Sequence, residues 1–195
     1  MSDLRRSLVL DAARSVFLDL GLERTSMREI AVRAGYTPGA LYSYFASKEE
    51  VYAALLGESL ERLNAEVEAA RTAAGANPAG SLRASARAFF EFYRQNPRDL
   101  DLGFYLFQGM RPRGLTPALN KGLNQRLRDA LLPTEDALRS LGMTADDALS
   151  EVTALFAHVV GLLLLGHTGR IRMFRRTSRD LFDTYLDRLF ERLPG

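Results

Sequence analysis

Apolar residues recur at three- and four-residue steps along almost the whole of this chain, and no segment alternates with period two for long enough to build a sheet. That regularity restricts the fold to an all-α architecture. The first stripe, Leu8, Val9, Ala12, Ala13, Val16, Phe17 and Leu20, gives one helix a buried face, and Gly21 supplies its stop. Two short helices follow, then a long one over residues 48–71. The breaker-rich stretch 72–81 is expected as a loop. Helices are expected over 82–94 and 100–110, separated by Asn96-Pro97, and after a loop at 111–114 another runs over 117–141, with Pro133 a point of disturbance. The last two cover 145–168 and 178–193. The periodicity thus gives about nine helices, three short ones at the start and a larger helical body behind them.

Composition acts mainly by exclusion. The 195 residues can bury a real core. There is no cysteine, which removes disulfide frameworks, thiolate zinc sites and cysteine nucleophiles. His158 and His167 are the only histidines, so no metal site is expected, and nothing implies a cofactor. No Gly-rich phosphate loop and no motif-placed pair of carboxylates is present, and an enzyme is not expected. With 26 basic and 24 acidic residues, overall charge is no argument for a nucleic-acid partner. The charged, amphipathic N-terminus does not read as a signal peptide. The most apolar stretch, 155–166, is shorter than the roughly 20 residues a bilayer requires. A cytoplasmic protein without a membrane partner is the expectation.

The informative run is residues 25–51. Ser26 followed by Glu29 makes a capping box, and Met27, Ile30, Ala31 and Ala34 form the buried face of the helix it starts. Gly35 fits the left-handed position that ends it. Thr37 is a suitable N-cap for the next helix, with Pro38 at its first position, where a missing N–H costs nothing. Ser47 and Glu50 form a further capping box. Two short helices joined by a glycine turn describe a helix-turn-helix. On the second one, Pro38 to Phe45, Leu41 and Phe45 point inward and leave Gly39, Ala40, Tyr42, Ser43 and Tyr44 at or near the outer face. Small residues admit a DNA backbone, and Ala40 suits a thymine methyl. Thr37, Tyr42, Tyr44, Lys48 and Arg28 are the expected phosphate and sugar contacts. There is no Arg, Asn or Gln on this helix, so readout rests on apolar contacts, Arg28 and DNA shape. Geometry alone fits equally well a pair of ordinary bundle helices in a scaffold or adaptor protein.

The same residues carry a resemblance to the tetracycline-repressor (TetR) family. Thr25, Ile30-Ala31, Ala34-Gly35, Thr37, Gly39, Ala40, Leu41-Tyr42, Tyr44-Phe45 and Ser47-Lys48-Glu49 stand where that family's DNA-binding domain has its pattern. Ser43 departs from it, since many relatives carry a basic residue there. The resemblance implies a helix-turn-helix domain over 1–47 and a ligand-binding and dimerisation domain over 48–195. It implies a homodimer on palindromic double-stranded operator DNA, closed by the last two helices, for which Leu155, Val159, Leu162, Leu181, Phe182, Tyr185 and Leu189 are the candidates. It also implies a pocket for an unidentified small-molecule effector, with Phe89, Tyr93, Phe104, Phe107, Phe156 and His158 as candidate lining, although filled core is the competing reading for any one of them. The implied function is transcription regulation, as a repressor that the effector releases. A regulator controlled by a protein partner is the alternative. Tyr42→Ala combined with Lys48→Ala is expected to abolish DNA binding with thermal stability nearly unchanged.

Overall fold

The computed structural model describes residues 2–104 and 115–193. Among the described residues there are helices and no strands, in the order α1 (Ser2–Arg24), α2 (Met27–Ala34), α3 (Pro38–Tyr42), α4 (Lys48–Ala73), α5 (Pro78–Gln95), α6 (Pro97–Phe104), α7 (Pro117–Ser140), α8 (Ala145–His167) and α9 (Ser178–Glu191), with a 3-10 turn, Arg170–Phe174, between the last two. The boundaries move for local reasons. Helix α5 starts at Pro78 rather than Leu82 because Asn77 caps it, its side chain accepting the Ala79 N–H. Helix α3 is shorter than expected and passes into a turn before Phe45. Helix α6 begins at Pro97, and the rest of the expected helix over 100–110 lies outside the described residues. Pro133 sits within α7, which continues to Ser140.

The chain divides into two compact bodies, Met1–Glu61 with Arg98–Arg126 and Arg62–Pro97 with Leu127–Gly195. This grouping cuts α4 and α7 rather than following the expected 47/48 division. In the first body, Val9, Leu10, Ala13, Val16 and Phe17 of α1 are buried together with Ile30, Ala31, Leu41, Phe45, Val51 and Leu55. Phe17 meets Tyr52 edge-on at 5.3 Å, and the Tyr52 hydroxyl donates to the carbonyl of Leu102 on α6. Asp99 of α6, 5 % exposed, pairs with Arg14 of α1 at 3.5 Å. Gly21, at φ 78° and ψ 163°, breaks the helical path of α1 near its end, a conformation open mainly to glycine.

The second body is built on α5, α8 and α9. Phe89, Phe90, Phe92 and Tyr93 of α5 are all buried, and Phe90 stacks on Phe182 of α9 at 4.3 Å with planes 7° apart. Ion pairs between Arg83 and Asp187, Arg87 and Asp183, and Arg179 and Glu91 run along the outside of this contact. Their order fixes α5 and α9 as antiparallel. Exposed pairs of this kind set register more than they add stability.

Here the structure corrects the expected dimer residues. Leu155, Val159, Leu162, Phe182 and Leu189 are each at most 5 % exposed within a single chain, and Leu181 and Tyr185 are half-buried. The first five are therefore protomer core. The apolar surface that α8 leaves open runs through Leu149, Val160 and Leu164. At 23 residues α8 is also longer than the apolar stretch read from sequence. Among the described residues it is the helix long and apolar enough to cross a bilayer, with mean hydropathy 1.9 and 33 % of its most apolar window buried. Its buried stripe packs on α5 and α9, so only the opposite side needs a cover.

Candidate nucleic-acid interface

The capping box at Ser26 is complete. The Ser26 side chain accepts the Glu29 N–H at 3.3 Å, and the Glu29 carboxylate accepts the Ser26 N–H at 2.7 Å. Gly35, at φ 73°, ends α2, its N–H returning to Ala31 and Val32. The Thr37 hydroxyl oxygen accepts the Ala40 N–H at 3.2 Å and so starts α3. Leu41 is buried completely and holds α3 on the first body.

What remains outside is a low surface with one projecting ring. Arg28, Thr37, Pro38, Gly39 and Ser43 are exposed, Tyr42 is 56 % exposed, and Ala40 and Tyr44 are half-buried. A methyl group added at Gly39 would meet nothing within 4 Å. No packing among the described residues explains a glycine there.

Two expected contacts are corrected by their hydrogen bonds. The Lys48 ammonium donates to the carbonyls of Leu22, Glu23 and Thr25 at 2.8, 3.0 and 2.9 Å. All its protons are used inside the fold, so Lys48 fastens the end of α1 to the start of α4 instead of waiting for a phosphate. The Ser43 hydroxyl donates to the Ala40 carbonyl at 2.6 Å and has no proton left for a phosphate oxygen. Sequence reasoning missed the Lys48 fastening, although a cation at a helix N-terminus, where the dipole disfavours it, was a signal that another partner existed.

With this geometry in place the comparisons with known proteins are decisive. Residues 9–55 match the profile for bacterial regulatory proteins of the tetR family, and residues 82–189 match that for the tetracyclin repressor-like C-terminal domain. The chain belongs to the tetR family. Among its relatives is the transcriptional activator FasR of Mycolicibacterium smegmatis, 38 % identical over 52 % of this chain and 46 % of that protein. The chain therefore spans just under half of FasR. The transcriptional repressor KstR of Mycobacterium tuberculosis is 27 % identical over 77 % of this chain and 70 % of its own. The solved structure of FadR from Bacillus subtilis in complex with stearoyl-CoA shares the fold, with TM-score 0.71, 17 % identity, and 93 % and 95 % of the two chains covered.

In this tetR-family chain, Phe89, Tyr93 and Phe156, expected to line an effector pocket, pack ring against ring in the second body. Phe89 and Tyr93 are 2 % and 1 % exposed, and Phe89 packs edge-on against Tyr93 at 5.4 Å and Phe156 at 5.9 Å. Ring fills ring, as in ordinary core. Phe104 belongs to the first body, and Phe107 lies outside the described residues. Open clefts occur elsewhere. One of about 520 Å³ in the second body is lined by Glu68, Arg71, Ser81, Asp129 and Asp136. Another of about 600 Å³ in the first body is lined by Arg6, Tyr44, Phe45, Gly57 and Arg126.

His158 stacks on Tyr185 at 4.3 Å, and its Nε2 is buried without a partner. Burial pushes the imidazole below its ordinary value of 6.5, against a weaker opposing bond to the Leu181 backbone. Burial, reinforced by Glu151, raises the Tyr185 phenol to about 12, and its hydroxyl donates to Glu151 at 2.8 Å. The folded chain thus holds His158 neutral where the unfolded chain begins to take up a proton. Its contribution is complete above pH 6.5 and is lost as the pH falls below that value. Thermal denaturation as a function of pH should show this decline, and His158→Gln should flatten it. An unchanged profile in the variant would remove His158 as its source.

Proposed function

We propose that this chain is a DNA-binding transcription regulator, acting as a repressor that a small-molecule effector releases from a palindromic operator. The observation that carries the reading is the outer surface of α3. There Pro38, Gly39 and Ala40 leave a low platform beside an exposed Tyr42, and a side-chain carbon added at Gly39 would touch nothing within 4 Å. Arg28, on α2, is exposed as well. A short platform of this size reads few base pairs, so two copies related by a two-fold axis are needed for useful specificity. The open stripe of α8 at Leu149, Val160 and Leu164 is the surface we assign to the second copy. The division into a reader over 1–47 and an effector and dimer module over 48–195 is a functional one, and it cuts across the compact bodies. A cytoplasmic setting follows from this role.

The mechanism is a change of spacing. A dimer with its two α3 helices about 34–36 Å apart fits successive major grooves. An effector that favours another spacing weakens DNA binding, and operator DNA must weaken the effector by the same factor. The deciding experiment is fluorescence anisotropy with DNA from upstream of the protein's own gene against a scrambled duplex, at several salt concentrations. Tight, sequence-selective binding is expected. Tyr42→Ala should lower affinity by about tenfold or more while leaving the melting temperature in place, because the ring is 56 % exposed. Equal affinity for both duplexes, unaffected by Tyr42→Ala, would overturn the reading.

A further inference from the structure

Between α8 and α9 the chain carries Gly169-Arg170-Ile171-Arg172-Met173-Phe174-Arg175-Arg176, and no acidic residue stands anywhere between Glu151 and Asp180. Ile171 is buried and anchors the turn, while Arg170, Arg172, Arg175 and Arg176 are all exposed. Met173 and Phe174 are 70 % and 61 % exposed beside them. Among the described residues the side chains of these arginines make no hydrogen bond or ion pair. Arg83, Arg87, Arg94, Arg179 and Arg192 of the same body are each paired with a carboxylate. Arg139 and Arg188 of this body also lack a partner among the described residues, and the turn is where four such arginines stand together.

One arginine of the turn sits in a backbone conformation that disfavours it. Arg175 has φ 53°, the left-handed region, and is the one non-glycine residue with positive φ among the described residues. Glycine would adopt this conformation without the steric cost of a Cβ. The arginine at this position carries a steric cost that glycine would avoid, which fits a use of its charge. Within the second body the turn lies at the end where α5 finishes, since Arg179 pairs with Glu91 and Arg62 of α4 lies 5.6 Å from the Phe92 ring.

We infer that this turn is a second DNA contact, binding backbone phosphates through Arg170, Arg172, Arg175 and Arg176, with Met173 and Phe174 as apolar groups for a groove wall. The inference rests on the DNA-binding reading above. It adds to a helix-turn-helix with few free cations, where α3 has none, Lys48 is spent on three carbonyls, Arg33 is paired with Asp19 and Arg28 alone is left exposed and unpaired on α2. Phosphate neutralisation supplies most of the sequence-independent affinity for DNA, so further cations elsewhere on the chain would add to it. Guanidinium groups match phosphate oxygens in pairs, and Met or Phe side chains are known wedges at base steps. A lipid surface is less suited to the turn, because two apolar side chains bury less than a single acyl chain, itself a marginal anchor.

The test is anisotropy on a mixed-sequence duplex across a salt series, with the full chain, two arginine variants and Tyr42→Ala as a control. Combining Arg170→Gln, Arg172→Gln, Arg175→Gln and Arg176→Gln should reduce the slope of log affinity against log salt by about 2 or more, from at least one lost phosphate on each subunit of a dimer. The affinity should drop by about tenfold or more at fixed salt, and Tyr42→Ala should keep the original slope. Arg175→Gly should hold or raise the melting temperature while weakening binding, which a merely structural turn would not do. Unchanged slope and affinity in both variants overturn the inference and leave the regulator reading intact. Loss of binding to phosphatidylglycerol-containing vesicles, with DNA binding unchanged, overturns it in favour of a lipid surface. Absence of any DNA binding by the unaltered chain at low salt sinks the regulator reading itself.

Discussion

Lys48→Ala is expected to destabilise the protein by about 2–3 kcal/mol, although its side chain is only half-buried and sits in the stretch that the sequence marks for DNA. The ammonium holds three carbonyls, those of Leu22, Glu23 and Thr25, just beyond the break that Gly21 makes in α1. Bonds from a charged donor each contribute about 1.5–3 kcal/mol, and water reaching the freed carbonyls together with the released lysine entropy returns part of that. For a chain of this size the loss corresponds to a fall in melting temperature of roughly 4–12 °C. DNA affinity should fall as well, because the link between α1 and α4 positions α2 and α3. The salt slope of the molecules that still bind should be unchanged. A phosphate contact would give the reverse, with stability intact and the slope smaller by about 0.9 for each phosphate lost. Lys48→Arg should rescue only in part, since a planar guanidinium cannot aim at three converging carbonyls. Denaturation curves and salt-dependent anisotropy on the same preparations separate the two roles. The double variant Tyr42→Ala with Lys48→Ala therefore cannot serve as a stability-neutral probe, and Tyr42→Ala alone replaces it.

How much of this was readable in the sequence depends on whether the cause was local. The all-helical fold, the Ser26–Glu29 capping box, the Gly35 stop and the Thr37-Pro38 start are decided within a few residues, and the sequence shows them directly. The early start of α5 was also local, since Asn77-Pro78 is a cap followed by a first-turn proline, but the surrounding glycines and alanines masked it. Partners distant in the chain were not readable. The Lys48 bonds span more than twenty residues, and the buried pair of Asp99 with Arg14 joins α6 to α1. Broad apolar faces were misread for a related reason. Periodicity identifies which residues of α8 and α9 are apolar, but an all-round apolar helix does not reveal which side meets its own body and which meets a second copy. The arginines of the turn between α8 and α9 were present in the sequence from the start. Only the structure shows that they lack partners while their neighbours are paired.

That ambiguity over α8 and α9 can be resolved by the remaining large effect. Phe182→Ala should cost about 3–5 kcal/mol, because the ring is completely buried, stacks on Phe90 at 4.3 Å, and would leave a cavity that the surrounding helices cannot close. The size of the loss is one half of the argument, and its concentration dependence is the other. Had Phe182 faced a second copy, truncation would raise the dimer dissociation constant, and the melting temperature of the variant would vary strongly with protein concentration. Since the ring belongs to the core of one protomer, the loss should be the same at every concentration, and the variant that remains folded should still dimerise. Val160→Glu tests the converse. Val160 is half-buried on the open stripe of α8, so a charge there should disrupt the dimer and, with it, operator binding, while leaving the folded protomer largely intact. Sedimentation and denaturation of both variants over a range of concentrations read the two outcomes. A Phe182→Ala variant that is stable but monomeric would place α9 at the interface and reverse the assignment of core and contact made from this structure.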